Sequence, residues 1–151
     1  MDKDDRLIFL LGKARHRLIT SLDKSLLNKA GVTTAQSGAL FYLMKNDGCL
    51  LSQLSRGLML DNSAITGMVD RLEKKDFIQR RSCANDRRAA KIYLTDAGRE
   101  AATRALPVVK KYNKAIKEGF SSEEIDGFRR ILQSVVDRFG EQAKANLPKV
   151  T

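Results

Sequence analysis

The sequence predicts a mainly α-helical fold that also carries one small β-hairpin, and so belongs to the α+β class. Three observations support this prediction. Apolar residues recur at three- and four-residue steps near both ends of the chain, which is the spacing of amphipathic helices. Two short amphipathic segments lie close together in the middle, and two short β-prone segments rich in arginine follow them. At 151 residues the chain has the size of a single domain spanning 1–151.

The first helix is predicted at about residues 4–28, because its apolar positions form one continuous stripe. These positions are Leu7, Leu11, Ala14, Leu18 and Leu22. Gly31 then supplies a stop signal. A second helix is expected to begin at Thr33 or Thr34, whose hydroxyl can cap it, and to end near residues 46–48. Its inward side chains are expected to be Leu40, Phe41, Leu43 and Met44.

Two short helices are predicted next. Ser52 can cap the first, which reaches Leu58, and the oxygens of residues 61–63 can cap the second, which reaches about Lys75. The apolar side of the second helix consists of Ile65, Met68, Val69 and Leu72. Two short helices joined by a tight turn, the second with a polar outer side, are the pattern of a helix-turn-helix.

The residues that follow predict a wing. Residues 77–81 and 90–94 are strand candidates, and residues 83–87 form the polar turn between them. A basic hairpin directly after a helix-turn-helix is a wing. Residues 33–95 are therefore predicted to form a winged helix-turn-helix that binds DNA.

The C-terminal third predicts two helices. Thr95 can cap a helix over residues 96–117, which Pro107 bends without ending. Residues 121–124 have the S-x-x-E spacing of a capping box, and the last helix then carries a regular apolar seam. The seam consists of Ile125, Phe128, Leu132, Val135 and Phe139. It is too apolar to face water alone, so it packs against the first helix or against a partner chain.

The net charge of +10 indicates a polyanionic partner, nucleic acid rather than an anionic membrane surface. Residues 71–91 hold eight basic and three acidic side chains, so half of the net charge lies in 21 residues. The alternative interpretation, a solvated charged face, would spread the charge more evenly along the chain.

Other functional classes find little support in the sequence. An enzyme needs a converging nucleophile, base or metal site, whereas this chain has one histidine, His16, and no C-x-x-C motif; neither catalysis nor a metal is expected. No apolar run approaches the roughly 18 residues that cross a bilayer. The N-terminus lacks the pattern of a secretory signal, so a cytoplasmic location is expected. RNA-binding modules present aromatic stacking platforms, and Tyr93 stands alone near the wing.

The stretch DRRAAKIYLT at residues 86–95 resembles the D-x-R-x-x-x-x-x-L-T signature of the MarR family of bacterial transcription regulators. The stretch SAITGMVDRLEKK at residues 63–75 resembles that family's recognition helix, and the order of elements matches over residues 5–147. The resemblance implies a homodimer that binds a pseudo-palindromic operator in double-stranded DNA, represses transcription and is nucleoid-associated when bound. It further implies release by a small aromatic or phenolic effector, bound where the dimer base meets the winged lobe, and no other cofactor.

The resemblance also assigns the dimer interface. Residues 4–30 and 96–147 are expected to form a helical dimerisation region. The expected interface residues are Leu7, Leu11, Leu18, Ile125, Phe128, Leu132, Val135 and Phe139.

The expected DNA contacts divide between base reading and phosphate binding. The polar side of the recognition helix is left to face the major groove, where Arg71 can donate two hydrogen bonds to guanine. Arg88 matches the family's wing arginine, which enters the minor groove, and Asp86 matches the carboxylate that orients it. Gly67 has two interpretations: close approach of the helix backbone to DNA, or relaxed packing at an exposed position. The predicted contacts are Asn62, Ser63, Thr66, Gly67, Asp70, Arg71, Lys74, Arg80, Asp86, Arg87, Arg88 and Lys91, and Arg81 would add a phosphate contact.

Two alternative functions stay open at this point. A winged helix can serve as a protein-interaction module, although the basic helix and wing would then lack an explanation. Cys83 lies in the basic wing, where oxidation would disturb DNA contact, so a redox-responsive regulator is the other alternative. A lone thiol is also common without any function, and Cys49 is expected to be a small apolar residue.

Overall fold

The computed structural model describes residues 2–83 and 86–140, and for residues 4, 83 and 86–88 it describes the backbone alone. A 3₁₀ turn at Asp4–Arg6 comes first. The elements that follow are α1 (Leu7–Ala30), α2 (Thr34–Lys45), β1 (Cys49–Leu50), α3 (Leu51–Gly57), α4 (Asn62–Lys74), β2 (Ile78–Cys83), β3 (Asp86–Leu94), α5 (Asp96–Lys117) and α6 (Ser122–Phe139). The predicted mainly helical fold with a small hairpin is confirmed, and β1 is an additional strand.

The predicted boundary between the first two helices is confirmed. Gly31 ends α1 in the left-handed conformation, with φ +69°, and its N–H donates to the Leu27 carbonyl at 3.1 Å. Thr33 begins α2 with a capping box: its hydroxyl accepts the Gln36 N–H at 3.2 Å, and the Gln36 side chain accepts the Thr33 N–H at 3.1 Å. Thr34 is the first residue of the helix, and its N–H donates to Asp23 Oδ1 at 2.7 Å.

The start of α3 differs from the prediction. Ser52 does not cap this helix, because the helix already begins at Leu51; Gln53 instead accepts the Leu50 N–H at 2.9 Å through its side chain. Just before it, β1 pairs Cys49 with Ile92 and Leu50 with Lys91, which gives a sheet of order β1-β3-β2. A strand of two residues has no alternation to detect, and its partner lies some forty residues away in the chain.

The predicted start and inward side of α4 are confirmed. Asp61 is the capping residue, and its Oδ1 accepts the Ala64 N–H at 2.8 Å and the Ser63 hydroxyl at 2.9 Å. These two bonds, the Ala64 bond foremost, lower the pKa of Asp61. The side chains predicted to point inward, Ile65, Met68, Val69 and Leu72, are all buried.

The hairpin strands are longer than predicted. β2 and β3 pair antiparallel from Ile78 opposite Leu94 to Ser82 opposite Ala90, with an irregularity between Ser82 and Cys83. The predicted turn over residues 83–87 is wrong in part, because Cys83 lies in β2 and residues 86 and 87 lie in β3. Backbone pairing with the partner strand overrides the polar composition of these residues.

The two last helices begin as predicted. The Thr95 hydroxyl accepts the Gly98 N–H at 3.0 Å and donates to the Asp76 carbonyl at 2.6 Å. Gly98 is required here, because a Cβ at this position would lie 2.0 Å from the Phe77 carbonyl oxygen. α5 continues through Pro107 to Lys117, and Ser121 and Glu124 form the predicted capping box of α6.

The chain divides into two compact units, whose described residues are 2–83 with 86–112 in the first and 113–140 in the second. In the first, the fully buried side chains come from α1 to α5, from the sheet and from Val32 between α1 and α2. They include Leu26, Leu40, Leu43, Leu54, Ile65, Leu72, Ile78 and Ile92. Met44 is 46% exposed, so its predicted inward position is wrong; it lies about 100° further round α2 than Leu43. The second unit holds the end of α5 and α6, and no residue of α6 is buried.

α1 meets α5 at a polar cluster inside the first unit. The Tyr112 hydroxyl lies 2.7 Å from the Ser21 hydroxyl and 2.9 Å from the Ser25 hydroxyl. Of the helices that the structure describes, none is both long and apolar enough to span a bilayer.

Candidate nucleic-acid interface

The outer side of α4 is polar and accessible. Because four apolar residues anchor the helix to the core, the intervening positions face outward. Asn62, Ser63, Thr66, Arg71 and Lys74 are exposed, and Gly67 and Asp70 are half-buried. These seven predicted DNA contacts therefore share one side of a 13-residue helix, as the sequence pattern requires.

Two hydroxyls on this side already have partners within the chain. The Thr66 hydroxyl donates to the Asn62 carbonyl at 2.7 Å, and the Ser63 hydroxyl donates to Asp61. Each hydroxyl has one proton. A bond from either side chain to a phosphate oxygen would therefore replace a bond that α4 already has.

Gly67 and Arg71 form an arrangement that neither interpretation of Gly67 anticipates. A Cβ added at Gly67 would lie 3.3 Å from one guanidinium nitrogen of Arg71 and 3.7 Å from the other. The guanidinium thus lies along the helix over the glycine. The four-residue spacing of the two positions is the signal that could have revealed it, because helical side chains lean toward the N-terminus.

A cluster of opposite charges joins α4 to β2. Arg80 Nη2 contacts Asp70 Oδ1 and lies 3.2 Å from Glu73 Oε1. The Arg80 backbone N–H also donates to Glu73 Oε2 at 3.3 Å. Hydrogen bonds to Glu73 first and to Asp70 second raise the pKa of the Arg80 guanidinium. The sequence predicts Asp70 and Arg80 as DNA contacts, and the structure brings them to each other.

The described part of the wing presents two further cations. Arg81 and Lys91 are opposite one another on β2 and β3, and both are exposed. The Arg81 guanidinium lies 4.3 Å from the centroid of the Tyr93 ring, a cation–π contact. Tyr93 in turn packs on Gly48, where a Cβ would lie 2.7 Å from the ring. The Cys83, Asp86, Arg87 and Arg88 side chains lie outside the described residues.

Lys75 has a structural role. Its Nζ donates to the Gly31 carbonyl at 2.8 Å and to Gln36 Oε1 at 3.0 Å, so it ties the end of α4 to the junction of α1 and α2. Although Lys75 belongs to the basic stretch 71–91, its ammonium group faces the protein.

A cleft of about 280 Å³ lies beside the start of α4. Its lining is mostly apolar, with three side chains that can form hydrogen bonds. The lining residues are Leu50, Leu51, Ser52, Ser55, Asn62, Ile65, Ala89 and Ala90. The Ser55 hydroxyl already donates to the Leu60 carbonyl at 2.6 Å, which leaves Ser52 and Asn62 to meet a molecule in the cleft.

Within the described residues, no cluster of three or more histidine, cysteine, aspartate or glutamate side chains is arranged to hold a metal. Cys49 is buried, as expected for a small apolar residue, and this burial raises the pKa of its thiol.

The predicted dimer residues are mostly accessible on each unit taken alone. On α1, Leu7 is 63% exposed, Leu11 is also exposed and Leu18 is half-buried. On α6, Ile125 is half-buried, and the other four seam residues are exposed; these are Phe128, Leu132, Val135 and Phe139.

Comparison with known proteins gives consistent similarities. The family model of the MarR family matches residues 32–90. The HTH-type transcriptional regulator BilQ of Clostridioides difficile (strain CD3) is 31% identical over 98 residues. That alignment covers 65% of this chain and 66% of BilQ, so the chain spans just under two thirds of that relative's length.

Two solved structures have the same fold. Sco3205, a MarR family transcriptional regulator from Streptomyces coelicolor in complex with DNA, has a TM-score of 0.83 at 23% identity, covering 95% of this chain and 93% of that one. BpsR of Bordetella bronchiseptica, whose DNA binding is regulated by 6-hydroxynicotinic acid, has a TM-score of 0.78 at 20% identity, covering 87% of this chain and 99% of that one.

Proposed function

The chain belongs to the MarR family of DNA-binding transcription regulators, which are not enzymes, and on that premise we propose that it acts as a homodimeric repressor on a pseudo-palindromic operator. The observation that carries the proposal is the outer side of α4: an exposed arginine, an exposed lysine and small polar residues, on a helix whose other side is anchored in the core. A helix of this kind fits the major groove.

The contacts divide by chemistry. Arg71 is proposed to read a base, because a guanidinium held along the helix can donate two parallel hydrogen bonds to guanine. Lys74, Arg81 and Lys91 are proposed to bind phosphates, since each is exposed and cationic. For the wing residues Asp86, Arg87 and Arg88, the support remains the sequence signature.

The test of this function is a titration of the purified chain with duplex DNA. A duplex is first selected by the protein from a random pool, and binding to it and to a random duplex is then measured at several salt concentrations. We expect a steep fall of log affinity with log salt, each phosphate contact contributing about −0.9 to the slope. A flat salt response, or failure to enrich any duplex, would show that the basic surface has another partner.

The homodimer is supported by apolar side chains that would be exposed to water in a monomer. Leu7 and Leu11 on α1, and the seam on α6, expose more apolar surface than an ordinary solvated helix. We assign residues 4–30 and 96–140 to dimerisation and residues 33–95 to DNA binding on this basis; residues 141–147 of the expected dimerisation region lie outside the described residues. Two-fold symmetry then places two copies of α4 about one helical turn of DNA apart.

Control by a small aromatic or phenolic effector is the last part of the proposal. The cleft beside α4 is a candidate position, because Asn62 belongs both to its lining and to the proposed DNA contacts. It lies within the winged region 33–95 and not at the junction with the dimer base, where the family resemblance places the effector. A molecule bound in the cleft would release DNA only if it binds the DNA-free form more tightly. The probe is 6-hydroxynicotinic acid, with benzoate for comparison: loss of a pre-formed DNA complex on addition supports the effector, and no change at millimolar concentration argues against it.

A further inference from the structure

From the cluster between α4 and β2, and resting on the proposed DNA-binding function, we propose that Arg80 is a positioning residue that fixes the wing to the recognition helix, not a phosphate contact. Asp70 and Glu73 are its two anchors on α4. The three side chains would act together on the angle at which α4 and the hairpin meet a duplex.

The geometry supports a clamp between two elements. Asp70 and Glu73 are three residues apart, so they lie on the same side of α4. One guanidinium nitrogen of Arg80 meets both carboxylates, and Glu73 additionally accepts the Arg80 backbone N–H. Arg80 therefore holds β2 to α4 through both its guanidinium group and its backbone N–H.

Strand alternation fixes the direction in which Arg80 points. Side chains two apart on a strand share a face, so Arg80 lies on the same face as Ile78, which is buried against the core. On this face of β2, Arg80 lies beyond Ile78 and contacts Asp70 and Glu73 of α4. Arg81 points to the other face, where it covers Tyr93. Neighbouring arginines thus have different environments: the Arg80 side chain is 30% exposed and ion-paired, and Arg81 is open to solvent.

The charge of the cluster disfavours phosphate binding by Arg80. One arginine and two carboxylates sum to −1, and the carboxylate side chains are 49% and 43% exposed. A phosphate approaching Arg80 would meet this net negative charge, whereas around Lys91 no ion pair is present among the described residues. The cation that the sequence assigns to DNA is instead neutralised within the protein.

The experiment uses the full chain with four variants: Arg80→Ala, Arg80→Lys, Asp70→Asn and, as a phosphate-contact reference, Lys91→Ala. Affinity is measured for a duplex selected by the unmodified protein and for a random duplex, across a salt series. We expect Arg80→Ala and Asp70→Asn to reduce the preference for the selected duplex by about tenfold, the size of one lost base contact, with the salt slope unchanged. Lys91→Ala should weaken binding to both duplexes alike and reduce the slope by about 0.9 per subunit.

The opposite role gives opposite results. If Arg80 bound phosphate, Arg80→Ala would behave like Lys91→Ala, and Asp70→Asn would strengthen binding because a negative charge is removed. Arg80→Lys separates the roles even if Arg80→Ala unfolds, since it keeps the charge but loses the planar guanidinium. If Arg80→Lys binds both duplexes as the unmodified protein does, the clamp is overturned. If Arg80→Lys shows a reduced preference for the selected duplex and the same salt slope as the unmodified protein, the clamp is supported. If the unmodified protein selects no duplex, the proposed function fails instead, so the two failures are distinguishable.

Discussion

At the scale of single residues, the proposed DNA contacts on the outer side of α4 depend on how each side chain is held. Arg71 lies over a glycine, the Ser63 and Thr66 hydroxyls bond within the helix, and Asp70 bonds to Arg80. A list of polar residues on a helix does not reveal these partners. Of the side chains on this face, Arg71 and Lys74 are the exposed cations best placed to approach DNA.

Gly67→Ala should stabilise α4 and yet weaken the recognition of DNA. Alanine raises helix propensity by about 1 kcal/mol, but the new methyl lies 3.3 Å from the Arg71 guanidinium and displaces it. We expect a higher unfolding midpoint together with about a tenfold lower preference for the selected duplex.

The matched control is Gly38→Ala in α2, where a Cβ would make an ordinary contact of 3.9 Å with Leu58. It should leave DNA binding unchanged. If Gly67→Ala bound the selected duplex as well as Gly38→Ala does, the position of Arg71 over Gly67 would have no role in recognition.

At the scale of elements, the starts of α2, α4, α5 and α6 could be predicted because each depends on a few neighbouring residues, whereas the predicted cap of α3 at Ser52 is wrong. The caps at Thr33, Asp61, Thr95 and Ser121 are all local hydrogen bonds. β1, by contrast, exists only through pairing with β3, and the Arg80 cluster joins a helix to a strand. Both are contacts that the order of residues alone does not specify. Local hydrogen bonds thus make four helix starts predictable, whereas the contacts between elements depend on packing.

Asp61 makes the stability of α4 depend on pH. Its pKa is lowered in the folded chain, so its carboxylate contributes stability above the ordinary value of 3.8, and this contribution is lost as the pH falls through the lowered folded value. Asp61→Asn keeps a capping oxygen without the charge. Unfolding curves should show a loss of stability below about pH 4 that is smaller in Asp61→Asn; identical acid profiles would exclude the carboxylate as the cause.

Gly98→Ala should weaken the connection between the hairpin and α5. Its methyl would lie 2.0 Å from the Phe77 carbonyl oxygen, which is backbone and cannot move aside cheaply. We expect a loss of about 3 kcal/mol in the free energy of unfolding, the upper range for overpacking. Chemical denaturation measures it, with Gly38→Ala as the control, since a Cβ at Gly38 makes only an ordinary contact of 3.9 Å with Leu58. Equal stability of the two variants would contradict the close approach.

At the scale of the whole molecule, the two compact units differ in how they bury apolar surface. Residues 1–112 hold the buried core, whereas α6 has no buried residue and exposes its regular seam. The sequence could predict this seam from its spacing, but spacing does not distinguish a partner chain from a neighbouring helix. The oligomeric state of the chain in solution distinguishes these two arrangements.

The variant Phe128→Glu should shift the chain toward monomer. Phe128 is 50% exposed on the α6 seam, and burying a new carboxylate in an interface is costly. Sedimentation velocity at micromolar concentration should show a dimer for the unmodified chain and a smaller species for this variant. Gln133→Glu adds the same charge on an exposed polar position of α6 and should remain dimeric. A monomeric unmodified chain would refute the dimer outright.

Thr95 gives the hairpin and α5 a shared point of attachment. Its single oxygen both donates to the main chain at the end of the α4–β2 turn and accepts from the first turn of α5. Any tilt of α5 that stretches one of these bonds also disturbs the other. A displacement that begins at the start of α5 is consequently passed to the turn at Asp76, which leads into β2, through one hydroxyl group and without a flexible linker in between.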